Sequence, residues 1–415
     1  MRKIRHKSKQ ARLERKILVM LAFFSVSAGL WENFRQLWLQ DNGFSATDVS
    51  TITSLGLFIS VGGILLVGAK LRLRYLKPFM TGVLGIKLIT LIILFSLDAS
   101  RQTGLIQLCT IIDILTTYVI IASVYPLITT ITKSNRIYSK RKLVEYWFRD
   151  IGVLVGGLVL GQQLMGSLID DNACLMIAAI FLSLAIMTMF SFHVEPHMHE
   201  APRRASVVKY VLHSKLQICY LTYAFLAATS FAAALSLKML VLTNYLDFSV
   251  GTATNYLLIV GLLSDVVGAL ALKYFTPRND YLTMTLKFGI RLVSYIIVVL
   301  ADNPFISLLA MTWSILISTA YEDVSDGYYI NLVDNRYQLS YSTLKHVMSF
   351  LGEAVGTLIC GLTYNFGIPA MFGTAAAITT IQLGLAYYVI ALRTRRRRVR
   401  HSASRMRYNE RLVED

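Results

Sequence analysis

The sequence predicts an all-α polytopic membrane protein whose twelve transmembrane helices form two pseudo-symmetric six-helix bundles. Three observations predict it. The 415 residues are 55% hydrophobic and only 16% charged, with a mean hydropathy of +0.56, outside the balance of a water-soluble globular chain. Apolar runs of about 20 residues, the length that crosses a bilayer, recur along the whole chain between short polar joints. The first half of the chain also repeats in the second at a fixed offset.

In order, the runs fall at 17–39, 47–69, 78–98, 104–130, 143–165 and 172–192, then at 216–243, 250–272, 281–301, 304–326, 343–365 and 369–392. The first is longer than the apolar core of a secretory leader and has no small-residue cleavage site before the next run. It is expected to remain as a helix. The longest and most polar joint, "HVEPHMHEAPRRASVVKYVLHSK" at 193–215, separates bundle 17–192 from bundle 216–392; basic segments 1–16 and 393–415 lie at the ends. Cys109, Cys174, Cys219 and Cys360 are scattered over separate runs with no metal-type or paired spacing, so they read as small packing residues.

The net charge of +17 is distributed by topology. With the N-terminus inside, the inner pieces are basic: "MRKIRHKSKQARLERK", "KLRLRYLK" at 70–77, "KSNRIYSKRK" at 133–142 and "RTRRRRVRHSASRMR" at 393–407. The outer joints, 40–46, 99–103, 166–171, 244–249, 302–303 and 366–368, hold one basic residue between them, Arg101. This positive-inside bias puts both termini in the cytoplasm of a cell with this protein in its cytoplasmic membrane. The arginine-rich tail is expected to meet anionic lipid headgroups rather than nucleic acid.

The repeat has an offset of 200. "IGVLVGGLVLG" at 151–161 and "LGEAVGTLICG" at 351–361 share glycines at 152/352, 156/356 and 161/361, together with Val155/Val355 and Leu158/Leu358. The same offset pairs "VGA" at 67–69 and 267–269, Asn135-Arg136 with Asn335-Arg336, and Lys87 with Lys287. Four features in register at equivalent places mark a duplication.

Topology, central joint and repeat together resemble the major facilitator superfamily. "LWLQDNGFSATDVSTI" at 37–52 is similar to that family's first external turn, which enters the second helix after Gly-Phe/Leu-Ser-X-X-Asp/Gln/Glu. In "GAKLRLRYLK", Gly68 and Lys77 match the family's loop between helices two and three, but Arg72 stands where its aspartate belongs and Tyr75 where its second glycine belongs. The usual acidic latch of the outward-open state is therefore not expected in its ordinary form. "GVLVGGLVLG" resembles the glycine-rich motif of drug and proton antiporters without its Gly-Pro core. The resemblance implies two parallel repeats about an axis along the membrane normal, a substrate site near the midplane, and a cavity lined by the first, fourth, seventh and tenth helices.

A charge at mid-bilayer costs roughly 2.5–3.5 kcal/mol on insertion scales, so ionisable residues within runs mark internal pairing or function. At about 1.5 Å per residue, Lys87, Asp113, Arg291 and Glu353 fall near the middle of a ~30 Å core, and Glu32 and Asp265 in its outer and inner thirds. Trp31, Arg35 and Trp38 share a surface with Glu32 beside them. Two readings stay open for Glu32 and Arg35: a substrate-facing, proton-exchanging patch, or an ion pair fixed at the external rim. Burial favours a carboxylate's protonated form and a nearby cation opposes it, which suits Glu32 and Asp113 as proton-coupling acids. Neutralising either is expected to uncouple transport and leave folding intact.

Glu145, Arg149 and Asp150 read as a cytoplasmic gate network. Lys287 and Arg291, one turn apart, repel each other and need counter-charges, for which Asp265 or the Glu322, Asp323 and Asp326 cluster is the candidate. Internal pairing is the expectation for these cations and Lys87. Glu353 matches Val153, so the duplication does not explain it. Gly152 and Gly156, with Gly352 and Gly356, are expected to bring helices of the two halves close together.

No Gly-x-x-x-x-Gly-Lys-Ser/Thr is present, so nucleotide-driven pumping by this chain is not expected. The histidines show no metal spacing, and neither a cofactor nor an enzymatic activity is expected. The leading expectation is a monomeric secondary transporter, proton-coupled, exporting an amphipathic small molecule. An uncoupled facilitator, a sugar or metabolite uptake permease, and a membrane sensor that keeps the fold without transporting are the alternatives.

Overall fold

In the computed structural model, the structure describes residues 2–70, 75–97, 102–131, 136–161, 172–192, 214–274, 280–301, 303–330, 338–389 and 391, with the side chains of 2–10, 136–143, 280–287 and 319–330 among those it leaves out. The first half contains α1 (Arg2–Asp41), α2 (Ala46–Lys70), α3 (Leu76–Ser96), α4 (Thr103–Ile131), α5 (Arg136–Gly161) and α6 (Asn172–Phe190). The second contains α7 (Lys215–Leu235), α8 (Lys238–Asn244), α9 (Val250–Tyr274), α10 (Asp280–Leu300), α11 (Pro304–Ile330), α12 (Gln338–Tyr364) and α13 (Ile368–Val389). These thirteen helices make twelve rods, because α7 and α8 continue one span, Gln217–Asn244. Among the described residues nine helices are long and apolar enough to cross a membrane; α10 and α11 carry shorter apolar stretches, Phe288–Leu300 and Pro304–Ser318.

Local chemistry sets the turns. At the end of α1, Gly43 adopts φ 85°, a conformation open to a residue without Cβ, and the amides of Gly43 and Phe44 satisfy the carbonyls of Gln40 and Leu39. Two residues later Ser45 and Asp48 cap α2 reciprocally: the Ser45 amide donates to Asp48 Oδ2 at 3.0 Å and the Asp48 amide to Ser45 Oγ at 3.1 Å. Gly367, with φ 89°, serves the turn between α12 and α13. The basic N-terminal segment is helical and continuous with α1. Its Lys, Arg, Gln, Leu and Glu residues favour helix, and no Gly or Pro interrupts them.

Helix pairing follows the duplication. In the first half α1 packs on α5 and α6, α2 on α4, and α3 on α4 and α6. In the second, α12 packs on α7, and α11 on α9 and α10. The halves meet where α2 lies against α12 and α5 against α9. A twofold exchange of the halves converts each of those two contacts into the other.

The repeated glycines sit in equivalent places, and those places correct the expectation. A Cβ on Gly152 would overlap the Val26 carbonyl of α1, and one on Gly352 the Phe225 carbonyl of α7. Both therefore bring helices together within a half rather than between halves. Gly356 is equally tight against Thr229 of α7, whereas Gly156 keeps an ordinary 3.6 Å from Leu30. Hydroxyls reinforce the pairing: Ser27 Oγ donates to Ala178 O at 2.8 Å in the first half, and Ser230 Oγ to Ala375 O at 3.2 Å in the second.

Large apolar side chains such as Ile89, Met187, Leu300, Leu309 and Ile381 stand exposed on the outside of the rods. Apolar surface on that scale suits hydrocarbon as its solvent. The polar residues are turned the other way.

Candidate functional site

The buried charges collect at mid-depth in the first half, where α1, α3 and α4 converge. Asp113 of α4 is 0% exposed. Its Oδ1 accepts from the Lys87 ammonium of α3, while Oδ2 accepts from Arg35 at 3.1 Å and from the Trp31 indole at 3.0 Å, both on α1. Lys87 also donates to Thr117 Oγ1 at 2.7 Å, one turn beyond Asp113 on the same helix. Two cations thus share one carboxylate, and each acceptor oxygen is used. Trp31 is held in turn by edge-on contacts with Phe34 and Trp38, at ring separations of 6.1 and 5.7 Å.

Glu32 and Arg35, neighbours on the α1 surface, do not pair with each other. Arg35 turns to Asp113, whereas Glu32 Oε2 accepts from Arg149 Nη2 of α5 at 2.6 Å. That second pair is only half-buried, with side chains 40% exposed for Arg149 and 31% for Glu32. A small pocket runs between the two pairs, lined by Trp31, Glu32, Arg35, Lys87, Asp113 and Tyr118 among others. Arg149, expected in a gate network, is joined by the second pair to Glu32 of α1. Glu145 lies one turn before it and within its electrostatic reach.

Across the seam, Tyr118 of α4 donates to Glu353 Oε1 of α12 at 2.7 Å and packs edge-on against Phe350 at 4.9 Å. Glu353 thus faces the first half. Asp150 of α5 presses against the bare Gly261 backbone of α9, and Asp265 follows one turn later; Oδ2 of each is buried without a hydrogen bond. Arg291 donates to Ser318 Oγ at 2.8 Å and to the Ala227 carbonyl at 3.5 Å, and lies 5.6 Å from the Phe231 ring; the side chain of Asp326, one of its expected counter-charges, lies outside the described residues. The side chains of Lys287, Glu322 and Asp323 lie outside the described residues.

Among the described residues, hydrogen bonds tie the seam from mid-depth towards one end, here called upper, which carries the turns after α1, α8 and α12. Gln36 Nε2 donates to Ser236 O at 2.6 Å, at the break between α7 and α8; the two positions are 200 apart. Thr47 Oγ1 donates to Gly361 O at 3.2 Å and Ser54 Oγ to Ala354 O at 2.8 Å, joining α2 to α12. Gly157 of α5 meets Thr254 of α9.

Sequence reasoning did not single out Tyr118, Thr117 or Lys238. Lys238 opens α8, half-buried and within electrostatic reach of Arg149, Glu32, Asp150 and Glu353. It could have been found by the rule that flagged the others, as a charge inside an apolar run.

Twelve rods in two six-helix halves, with ion pairs at mid-depth near their seam, define an all-α polytopic membrane protein of two-lobed design. Solved structures of the same design match it closely in shape. A mutant of the nucleoside transporter NupG aligns over 91% of this chain and 99% of that one at 12% identity, with a TM-score of 0.72. A bacterial homologue of the human lysosomal transporter Spinster, in an inward-facing, unoccupied conformation, aligns over 92% and 96% at 12% identity and a TM-score of 0.72. The fucose:proton symporter FucP of E. coli aligns over 92% and 99% at 14% identity and 0.62. The chain has the major facilitator fold. No family model and no curated protein matches the sequence.

Proposed function

We propose that this protein is a secondary transporter that moves a small molecule across the cytoplasmic membrane by alternating access of its two halves. The observation that carries the reading is the set of charges at mid-depth: Asp113 with its two cations and Glu32 with Arg149 inside the first half, and Tyr118 with Glu353 across the seam, in lobes whose outer surfaces are apolar. Charges at this depth are costly and mark a pathway or its relay. The duplication supplies the motion, since two similar lobes related by a twofold can rock about the site between them.

With the basic joints inside, the tied upper end is the outer one. We assign proton coupling to Glu32. Its pair with Arg149 is open enough to exchange a proton when the cavity changes sides, whereas Asp113 is held by three donors and positions Arg35 and Lys87. Tyr118 and Phe350, both partly exposed, provide aromatic surface for an amphipathic substrate, which we expect to be exported.

The test is flux in sealed proteoliposomes. A pH gradient should drive accumulation of a substrate found by thermal-shift screening, and Glu32→Gln should abolish the gradient-driven part. Equal flux with and without the gradient would leave an uncoupled facilitator. No flux of any compound that binds would point to a sensor.

A further inference from the structure

The pocket at mid-depth holds two groups whose bonding capacity is not spent. Asp113 has both oxygens occupied, Lys87 donates to Asp113 and Thr117, and the Tyr118 hydroxyl donates to Glu353. Arg35 and Glu32 are different. Arg35 bonds through Nη1 alone and Glu32 through Oε2 alone. Among the described residues, Arg35 Nε and Nη2 and Glu32 Oε1 have no hydrogen bond, and none of these atoms is sealed in the packed interior. Both residues line the pocket, three positions apart on one surface of α1. A donor edge and an acceptor thus border one space.

Size and charge restrict what fits there. The pocket encloses about 250 Å³, counting space open to solvent, less than the roughly 300–1,000 Å³ of a site that takes a whole drug-sized molecule. It admits a head group, with the rest of the molecule outside. Its lining sets two cations, Arg35 and Lys87, against two acids, Asp113 and Glu32. Arg149 and Glu353, each bonded to a lining residue, balance one another again. A carboxylate drawn to Arg35 would lie beside Glu32, and an ammonium drawn to Glu32 would lie beside Arg35 and Arg149. Each is a like-charge contact with little water to screen it. A head group without net charge avoids both.

Resting on the transporter reading, we propose that this pocket selects a net-neutral head group that carries a hydrogen-bond acceptor and a donor side by side. The acceptor takes the open edge of Arg35 and the donor meets Glu32 Oε1, so charge-assisted bonds form with no change in net charge. A primary carboxamide has this pattern, and the zwitterionic head of an amino acid is its charge-separated form. The apolar body lies over Tyr118 and Phe350, both partly exposed and in edge-on contact at 4.9 Å.

The experiment is calorimetric titration of the purified full-length protein in detergent, at neutral pH and millimolar concentrations, with benzamide, acetophenone, benzoate, benzylammonium and phenylalanine. Acetophenone keeps the carbonyl of benzamide and puts a methyl group in place of its nitrogen. Benzamide should bind about tenfold more tightly than acetophenone, the worth of one hydrogen bond to a charged group, and at least as far above benzoate and benzylammonium. Glu32→Ala should bring benzamide down to the level of acetophenone and leave acetophenone within about twofold of its wild-type affinity. Phenylalanine bound above benzamide assigns the charge-separated form of the head group, and below it the amide.

A charged probe bound as tightly as benzamide, a ketone bound equally, no binding by any of the probes, or an unchanged amide preference in folded Glu32→Ala protein overturns the proposal. If Glu32→Ala does not fold, the amide and ketone affinities of the wild-type protein decide alone. Failure of the transporter reading is separate, because it would show as the expected ranking in detergent without flux in vesicles. Flux carried only by charged compounds would sink only this inference.

Discussion

Asp113 balances two cations within a site closed to solvent, whereas Glu32 shares one partner in a partly open one. The sequence suggests that the two acids would tolerate neutralisation alike; their surroundings separate them. Asp113→Asn leaves Arg35 and Lys87 buried without a counter-charge, a loss of about 3–5 kcal/mol for a broken buried pair. Its unfolding in detergent should occur at clearly lower temperature or denaturant concentration than that of wild type. Glu32→Gln breaks a half-open pair worth about 1 kcal/mol or less, so its stability should stay close to wild type. Which residues carry charge at cavity depth was legible, but how they pair was not. Glu32 and Arg35 lie on one helix surface, yet their partners are 117 and 78 residues away. The rotation of α4 and α5 about their own axes decides that choice, and hydropathy says little about rotation in rods that are apolar nearly all round.

The helices were legible as elements, because the apolar runs and joints are long and distinct. The interruption of the seventh span was not. No Gly or Pro stands near Ser236 and Leu237; the local signal is a serine whose hydroxyl turns back to the Ala232 carbonyl at 2.6 Å and competes with the backbone ladder. The glycine repeat was visible, but its partners were not, since close approach can serve a half or a seam equally well. Its geometry now separates two neighbours on one helix. Gly152→Ala must push α1 away from α5 and should cost about 1–3 kcal/mol, the usual range for overpacking. Gly156→Ala, 3.6 Å from its nearest atom, should be nearly neutral. Comparing their thermal midpoints in one detergent checks both expectations.

For the molecule as a whole, duplication predicted two lobes and the structure adds the helices along which they meet, α2 on α12 and α5 on α9. Ser54 of α2 and Ala354 of α12 are joined across the seam near mid-depth. Cysteines at these two positions, bridged by a short bifunctional thiol reagent, should stop vesicle flux while leaving ligand binding in detergent within about twofold of the uncrosslinked protein; reversal of the bridge should restore flux. Flux that survives complete bridging would argue against rocking lobes. The gap between α7 and α8 gives this motion a particular mechanical character. Ser236, whose carbonyl is clasped by Gln36 of the opposite lobe, stands at that gap. Any tilt of one lobe against the other would load that clasp directly, at the point where the rod is least braced by its own ladder.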